Sequence, residues 1–221
     1  MTWVKICGMT NVEDALVAVE AGADAVGFLF YEKSPRCVTV EAAREIVAKL
    51  PTRIEKVGVF VNQQEDIICS AIEQAGITAV QMHGDDEDPH VADLIVKCRA
   101  GVKIFPAISM RQPNPGGRAM RWNLNSIRAF LLDSGSSSKY GGTGQPFDWK
   151  ASIPVTNQIK VLRNVVLAGG LTPRNVVDAI NILQPWGVDV ASGVEARPGK
   201  KDPEKVQAFL RVVREFDRKV S

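Results

Sequence analysis

Short runs of apolar, often β-branched residues alternate along the chain with longer stretches in which apolar residues recur every three or four positions. Runs of the first kind are typical of strands buried on both faces, and stretches of the second kind are typical of amphipathic helices. The pattern predicts eight strands, which begin at Trp3 and end at Gly193: WVKIC, DAVGFLF, EKVGVFV, AVQMHG, KIFPAI, AFLLD, NVVLAGG and GVDVASG.

Helical patterns follow most of these strands. They are predicted for residues 11–23, 39–50, 64–76, 89–101, 172–183 and 202–216. Asn11 and Thr39 suit the N-cap position before their helices, and Gly76 suits a helix end. After the fifth strand, the polar stretch SMRQPNPGGRAMRWNLNS stands where a long helix would be expected, so a degenerate crossover helix is predicted there.

Alternating strands and helices can build either a closed (β/α)8 barrel or an open doubly wound sheet. The chain of 221 residues allows about 28 residues for each of eight units, enough for a strand, a helix and two short loops. The closed barrel is favoured because the units are regular and the sequence has no dinucleotide-binding glycine fingerprint. We therefore predict an α/β protein in which residues 1–221 form a single TIM barrel of eight parallel strands, without a second domain.

Composition narrows the class of protein. Hydrophobic residues make up 45% of the chain and charged residues 24%, and the formal net charge is +2. These values are typical of a soluble globular protein, and the charge is too small to favour a nucleic-acid or membrane partner. The amino terminus does not resemble a signal peptide, and no apolar run approaches the roughly 20 residues that span a bilayer. We therefore expect a cytoplasmic protein.

The cysteines and histidines do not have the spacing of a metal site. The four cysteines are widely separated and form no CxxC pair, and the two histidines are not spaced as in HExxH. We expect reduced thiols and no bound metal.

Glycine-rich segments follow the sixth, seventh and eighth strands, where barrels of this kind often bind phosphate. They offer backbone N–H groups or hydroxyls at Gly142, Thr143, Gly144, Gly169, Gly170, Ser192, Gly193 and Val194. One glycine pair after a strand is usually only a turn, but three such loops at neighbouring strand ends favour a phosphate site. The spacing of a nucleotide-binding P-loop is absent.

Two residues at predicted strand ends could move protons. Cys7 ends the first strand and Asp133 ends the sixth, so both should lie at the rim where barrel enzymes place their chemistry. A lone cysteine is more often a packing residue, whereas a carboxylate after four apolar residues is poor core material unless it is paired or functional. Together, beside a phosphate site, they suit an acid and a base acting on a sugar phosphate.

Distinctive motifs lie at the ends of most of the predicted strands. In chain order they are KICGMTN, VGFLFYEKSPRCV, VGVFVN, VQMHGDD, LLDS, GGTGQPFDW, LAGGLTPRNV and GVDVASGVEARPGKKD. Taken together, these motifs resemble those of the phosphoribosylanthranilate isomerases of tryptophan biosynthesis. Two features depart from that family: Ala191, where the family often has a serine, and the insert PNPGGRAMRWN.

The resemblance implies an enzyme that carries out the Amadori rearrangement of N-(5-phosphoribosyl)anthranilate to 1-(2-carboxyphenylamino)-1-deoxyribulose 5-phosphate. Asp133 would be the general acid on the ribose ring oxygen, and Cys7 the general base on the sugar C2. Arg36 would bind the anthranilate carboxylate with its guanidinium fork. No cofactor is needed, since the iminium formed on ring opening takes up the electrons. For its role as base, the pKa of Cys7 should be lowered by nearby positive potential.

Other classes remain open from the residues alone. An indole-glycerol-phosphate synthase would be expected to carry catalytic Lys and Glu at several strand ends, and an epimerase would be expected to carry metal ligands. A barrel that binds a phosphorylated small molecule without turnover is a non-enzymatic alternative. We assign His83 no part in proton transfer, and we expect Asp189 to orient loops. The oligomeric state is left open between monomer and homodimer.

Overall fold

A computed structural model describes residues 1–84, 89–98, 101–125, 127–135 and 145–220. In these ranges, eight parallel strands form a closed barrel in the order β1 to β8. The strands are β1 (Trp3–Cys7), β2 (Ala25–Leu29), β3 (Glu55–Val61), β4 (Ala79–His83), β5 (Lys103–Ser109), β6 (Ala129–Asp133), β7 (Asn164–Leu167) and β8 (Gly187–Val190). The ring closes where β1 pairs with β8, with Lys5 opposite Asp189. The predicted TIM barrel is confirmed.

Helices alternate with the strands. They are α1 (Val12–Glu20), α2 (Val40–Val47), α3 (Glu65–Ala75), α4 (Pro89–Cys98), α5 (Pro115–Met120), α6 (Ile153–Leu162), α7 (Val176–Leu183) and α8 (Pro203–Val220). Two predicted N-caps are present, because the side chains of Asn11 and Thr39 each accept a hydrogen bond from a backbone N–H three residues on. Gly76 ends α3 with a φ of 70°, a conformation that favours glycine.

The crossovers after β5 and β6 differ in how well the sequence predicted them. Helix α5 has six residues, as the degenerate crossover requires. Helix α6 was not predicted. Its buried positions are Thr156 and Ile159, so the helix carries little of the apolar periodicity by which a helix is recognised.

A short appendage follows β8. It consists of the 3₁₀ helix Ser192–Val194 and an antiparallel pair, β9 (Glu195–Arg197) with β10 (Lys200–Lys201). This segment connects the last barrel strand to helix α8 and lies beside the mouth of the barrel, where it contributes to the site described below.

Alternate residues along each strand fill the inside of the barrel. The apolar ones form a cluster of Ala25, Val57, Ala79, Phe105, Ala107, Ala129, Leu131, Val166 and Ala168. At the amino end of the barrel, the Trp3 ring stacks against the rings of Phe105 and Trp186, at centroid distances of 5.6 and 5.2 Å. This apolar packing fills the amino end of the barrel, and the cavity described below lies at the carboxyl ends of the strands. Among the described residues, no helix has both the length and the apolar character that crossing a membrane requires.

Candidate active site

A cavity opens at the carboxyl ends of the barrel strands, with a volume of about 790 Å³ including its mouth. The structure brings together around it the predicted site residues Cys7, Arg36, Asp133, Gly169, Gly170, Ser192 and Gly193. Of the remaining predicted residues, Val194 is fully buried and is not among the residues that line the cavity, and Gly142, Thr143 and Gly144 lie outside the described residues. Residues that are far apart in the chain therefore share one cavity because each follows, or ends, a barrel strand.

Cys7 ends β1 and points into the barrel, where it is 6% exposed. Gly27 on the neighbouring strand makes room for it, since a Cβ at Gly27 would lie 2.7 Å from the Cys7 sulphur. Burial raises the pKa of the Cys7 thiol, and the positive charges of Lys5, Lys201 and Arg36 only partly oppose it. Our expectation of a lowered pKa was wrong, because removal of the thiolate from water outweighs the surrounding positive potential.

Asp133 ends β6 and is also buried at the cavity wall. The Ser134 hydroxyl donates a hydrogen bond of 3.4 Å to its Oδ1 atom. The His83 Nε2 atom, at the end of β4, lies 3.9 Å from its Oδ2 atom. The carboxyl group therefore faces the cavity between polar neighbours, from a strand that is not adjacent to β1 and its thiol.

Arg36 lies in the loop after β2, and Glu195 at the start of β9 holds it. Its Nε atom donates to Glu195 Oε1 at 2.8 Å, and its Nη2 atom donates to Oε2 at 2.7 Å. Lys201 is almost fully buried and donates to the same carboxylate at 3.1 Å. Burial opposes ionisation of Glu195, but the hydrogen bonds and charges of Arg36 and Lys201 lower its pKa. One charged carboxylate therefore fixes two cations at the rim.

The orientation of Arg36 has a second cause. Gly8 has a φ of 85°, and a Cβ built on it would lie 2.7 Å from the Arg36 Cδ atom. A glycine directly after Cys7 therefore lets the arginine side chain cross over the end of β1. The sequence places Gly8 beside Cys7, but it does not show that the space serves Arg36.

The loops after β7 and β8 approach each other backbone to backbone. A Cβ on Gly193 would lie 1.8 Å from the Leu171 carbonyl oxygen. The loop after β7 also meets the segment after β6, since a Cβ on Gly170 would lie 2.3 Å from the Pro146 nitrogen. Gly169 and Gly170 also have φ values of 83° and 69°. Side chains are excluded at these positions, so main-chain groups line this part of the cavity.

A buried polar layer lies just beneath the thiol. The Lys5 Nζ atom donates to Asp189 Oδ2 at 3.0 Å and also to Gln81 Oε1. Asp189 was expected to orient loops, but the structure places it inside the barrel, paired with Lys5. No role was predicted for Lys5, Gln81, Glu195 or Lys201. The available signal for Lys5 and Gln81, as for Asp189, was a polar residue at an inward-facing position of a strand that is otherwise largely apolar.

In the part of the chain that the structure describes, no group of three or more His, Cys, Asp or Glu side chains is arranged to hold a metal ion.

Comparison with known proteins identifies the family. Residues 4–212 match the family model described as N-(5'phosphoribosyl)anthranilate (PRA) isomerase. A relative from Citrifermentans bemidjiense, named N-(5'-phosphoribosyl)anthranilate isomerase, is 43% identical over 211 residues, which cover 95% of this chain and 96% of that protein.

Solved structures agree with this match. A phosphoribosyl anthranilate isomerase in complex with reduced 1-(o-carboxyphenylamino)-1-deoxyribulose 5-phosphate superposes with a TM-score of 0.82 at 39% identity, covering 97% of this chain and all of that one (100%). A structure of monomers generated from the dimeric Thermotoga maritima isomerase gives a TM-score of 0.81 at 39% identity, with coverage of 97% and 100%. The chain therefore belongs to the N-(5'-phosphoribosyl)anthranilate isomerase family, whose members are enzymes of tryptophan biosynthesis.

Proposed function

We propose that this cavity converts N-(5'-phosphoribosyl)anthranilate into 1-(2-carboxyphenylamino)-1-deoxyribulose 5-phosphate, an intramolecular oxidation and reduction in tryptophan biosynthesis. The observation that carries the proposal is that a thiol, Cys7, and a carboxyl group, Asp133, line the same cavity. That cavity also contains an arginine and main-chain loops that suit the two charged ends of this substrate. Membership of the isomerase family supports the same reaction.

Asp133 acts first, as the general acid. It donates a proton to the ribose ring oxygen, so that the C1–O bond breaks, the furanose opens, and an iminium forms between C1 and the anthranilate nitrogen. Cys7 then removes the proton from C2 as a thiolate. The electrons of the C2–H bond form a C1–C2 double bond. The π electrons of the C1=N bond move onto the nitrogen, which gives a neutral enolamine.

Tautomerisation of the enolamine completes the reaction. C1 gains a proton and the C2 hydroxyl loses one, which leaves a ketone at C2. The Cys7 thiol gives up the proton that it took and Asp133 is reprotonated, so the enzyme returns to its starting state. C1 is reduced and C2 is oxidised within one molecule, and no external oxidant, reductant or cofactor takes part.

Arg36 binds the anthranilate carboxylate in this proposal. Its Nε–Nη2 edge is already occupied by Glu195, so the substrate meets the remaining Nη1–Nη2 end of the guanidinium. The guanidinium group differs from that of an arginine without a protein partner, because Glu195 orients it before the substrate binds. The cost of ordering its side chain is therefore met in the folded protein rather than on binding.

The phosphate-binding loops are the segments 168–171 and 191–194. Main-chain N–H groups there can approach an anion closely, because Gly169, Gly170 and Gly193 carry no side chain. Ser192 adds a hydroxyl group. Ala191 offers no hydroxyl, so the backbone supplies more of the binding than in relatives with a serine there. Gly142, Thr143 and Gly144 are proposed to complete this site.

A coupled assay tests the function directly. Anthranilate, phosphoribosyl pyrophosphate and the upstream transferase generate the fluorescent aminoaldose, and adding this protein should abolish its fluorescence catalytically. Cys7→Ala and Asp133→Asn should each lower kcat by at least about 100-fold, the low end for a positioned acid or base. Cys69→Ala, which changes a half-buried thiol on α3, should retain wild-type activity.

The same assay has outcomes that would contradict the proposed function. Binding of the aminoaldose without loss of fluorescence would identify a phosphate-binding barrel rather than an enzyme. If Cys7→Ala turned over substrate at nearly the wild-type rate, Cys7 would be a packing residue, and the general base would be another group. Both variants should still bind a stable product analogue, since neither residue binds the phosphate or the carboxylate.

The protein is further proposed to act in the cytoplasm, without a nucleic-acid or membrane partner, as a monomer or a homodimer. A biosynthetic role on phosphorylated intermediates supports the location, and a solved relative described as dimeric supports the homodimer. Cell fractionation tests the location. Sedimentation equilibrium decides between the two masses.

A further inference from the structure

Lys5 lies on the same strand as Cys7, two residues earlier, so both side chains point into the barrel. The Lys5 side chain is 1% exposed and is among the largest fully buried side chains of the described chain. A lysine almost never occupies such a position unless its charge is paired. No step of the proposed reaction uses it, and its burial therefore needs a reason.

The partners of the Lys5 ammonium suggest that reason. An ammonium has three N–H donors and no acceptor. Two of its partners are the Asp189 carboxylate, at 3.0 Å, and the Gln81 amide oxygen. Burial lowers the pKa of Lys5, but the charge of Asp189 and then of Cys7, together with hydrogen bonds to both, outweigh burial and raise it. Lys5 therefore remains a cation with a thiol as its third neighbour.

We propose that Lys5 is a positioning residue whose ammonium stabilises the thiolate of Cys7, so that the base needed to remove the C2 proton forms more readily than burial alone would allow. In this arrangement Asp189 and Gln81 hold two of the ammonium protons, and the third is directed at the Cys7 sulphur. A neutral thiol is a weak acceptor, whereas a thiolate is a strong one, so the contact favours the ionised base. The inference rests on the proposed function, in which Cys7 is the base.

Among the charged groups near the Cys7 thiol, Lys5 has the strongest stabilising effect on the thiolate. The charged groups that act on the thiol come from four parts of the chain: Lys5, Asp189, Lys201 and Arg36. Of these, Lys5 opposes the effect of burial most strongly. Arg36 and Lys201 each already pair with the Glu195 carboxylate, which reduces the positive potential that they supply. Lys5 is therefore the principal counter-charge for the thiolate.

The test compares two proteins that differ only in Lys5. Replacing Lys5 alone would leave Asp189 buried and unpaired, which is strongly destabilising. The double variant Lys5→Met/Asp189→Asn, which leaves neither charge unpaired, is therefore compared with the wild-type protein and with the single variant Asp189→Asn, in which the Lys5 ammonium keeps the Gln81 amide oxygen as an acceptor. Lys56→Met is the control, because Lys56 is also a buried lysine on a barrel strand, but its ammonium bonds carbonyl oxygens at the amino end.

Two measurements are made on each protein. The ultraviolet absorbance of the Cys7 thiolate is followed against pH, with the matching Cys7→Ala variants subtracted. Relative to Asp189→Asn, the double variant should ionise Cys7 at higher pH, and the acidic limb of kcat/KM against pH should move up with it. At neutral pH kcat should fall at least about tenfold, and it should recover as pH rises, because added base restores the thiolate. KM should change little, since Lys5 does not touch substrate.

A purely structural role predicts something else. It would lower activity at every pH and leave the ionisation of Cys7 unchanged, and that result would overturn the proposal. The ultraviolet titration does not require turnover. If the wild-type protein failed to isomerise the aminoaldose, the proposed function would be wrong, and the titration would still decide whether Lys5 controls the thiol.

Discussion

At the scale of single residues, the most consequential contact at the rim is the one between Arg36 and Glu195. Glu195 accepts from both Arg36 and the buried Lys201, so it stays paired if either cation is removed. Its own backbone oxygen also accepts a hydrogen bond from Lys205. The structure around Glu195 should therefore survive the loss of the arginine, which makes Arg36 accessible to mutational analysis.

Removing Arg36 should weaken substrate binding rather than the fold. A hydrogen bond to a charged group contributes about 1.5–3 kcal/mol, so Arg36→Ala should raise KM for the aminoaldose by about 10- to 150-fold. Arg36→Lys should recover only part of this, because an ammonium cannot serve Glu195 and the substrate as a planar fork does. Arg197→Ala, an exposed arginine on β9, is the control in steady-state kinetics. An unchanged KM in both Arg36 variants would show that Arg36 does not bind the anthranilate carboxylate.

Cys7 and Asp133 could be predicted from the residues because each ends a strand whose pattern is strong, whereas Arg36 was predicted from the resemblance to the family. The sequence did not predict the partners that determine how these residues behave. Glu195 is 159 positions from Arg36, and the contact exists only because β2 and β8 end at the same face of the barrel. The raised pKa of Cys7 was missed for a related reason. Local charge can be counted from a sequence, whereas the number of atoms that exclude water around a thiol cannot.

At the scale of elements, the phosphate-binding loops depend on glycine. Gly193 in the 3₁₀ helix packs against the Leu171 carbonyl oxygen of the loop after β7. Gly193→Ala should push the two loops apart, because its Cβ would lie 1.8 Å from that oxygen. Phosphate added to the wild-type protein should raise its melting temperature by mass action, and this rise should be reduced or lost in the variant.

A matched control separates this effect from the general cost of replacing a glycine. Gly22 has a φ of 95°, and nothing lies within 4 Å of the position of its Cβ. Gly22→Ala should therefore lose stability through backbone strain but keep the full response to phosphate, measured by calorimetric titration. Equal phosphate affinity in Gly193→Ala and the wild-type protein would show that the anion binds elsewhere.

The hairpin of β9 and β10 is fastened to helix α1 through Asp14. The Lys200 ammonium and the Lys201 backbone N–H each donate to this carboxylate at 2.7 Å, and Asn11 donates at 2.9 Å. Burial opposes ionisation of Asp14, but these hydrogen bonds, with the charge of Lys200, lower its pKa. The carboxylate thereby links the loop that follows Cys7 to the segment that carries Glu195.

This lowered pKa predicts a pH dependence. The stabilisation is fully present above the unfolded pKa of Asp, about 3.9, and is lost as pH falls through the lower folded pKa. Asp14→Asn should reduce the free energy of unfolding at neutral pH by about 1–3 kcal/mol, the cost of leaving buried donors unsatisfied. The difference from the wild-type protein should shrink below about pH 4. Urea unfolding at several pH values measures it, with the exposed Glu13→Gln on the same helix as control. A pH-independent difference would contradict this account.

The helices and strands with a clear hydrophobic pattern were predicted from the sequence, and the helix without one was not. The strands are almost continuously apolar, and β1, β3 and β6 match the predicted runs residue for residue. Capping residues located the ends of α1, α2 and α3. Helix α6 was missed because Val161 points outward, 86% exposed, and a polar residue, Thr156, occupies one of its buried positions. Packing against neighbouring helices, rather than its own pattern, stabilises this helix.

At the scale of the whole molecule, the two ends of the described chain meet. Asp217 on α8 accepts hydrogen bonds from the backbone N–H and the hydroxyl of Thr2, at 2.9 and 2.6 Å. Arg214 on the same helix pairs with Asp24, just before β2, at 2.8 Å. These contacts accompany the pairing of β1 with β8, on which the closed ring and the position of Cys7 beside the phosphate-binding loops both depend.

We propose on this basis that residues 1–221 form one domain that unfolds as a unit. The main apolar cluster runs from Val4 on the first strand to Val213 on the last helix, so no part of it can be removed without exposing the rest. Asp217→Ala leaves two buried donors of Thr2 without their acceptor, at about 1–3 kcal/mol each. It should lower the melting temperature in a single calorimetric transition, while the exposed Glu215→Ala on the same helix leaves it unchanged. If α8 were an independent appendage, Asp217→Ala would instead split the transition in two, and the barrel that carries Cys7 and Asp133 would melt at its original temperature.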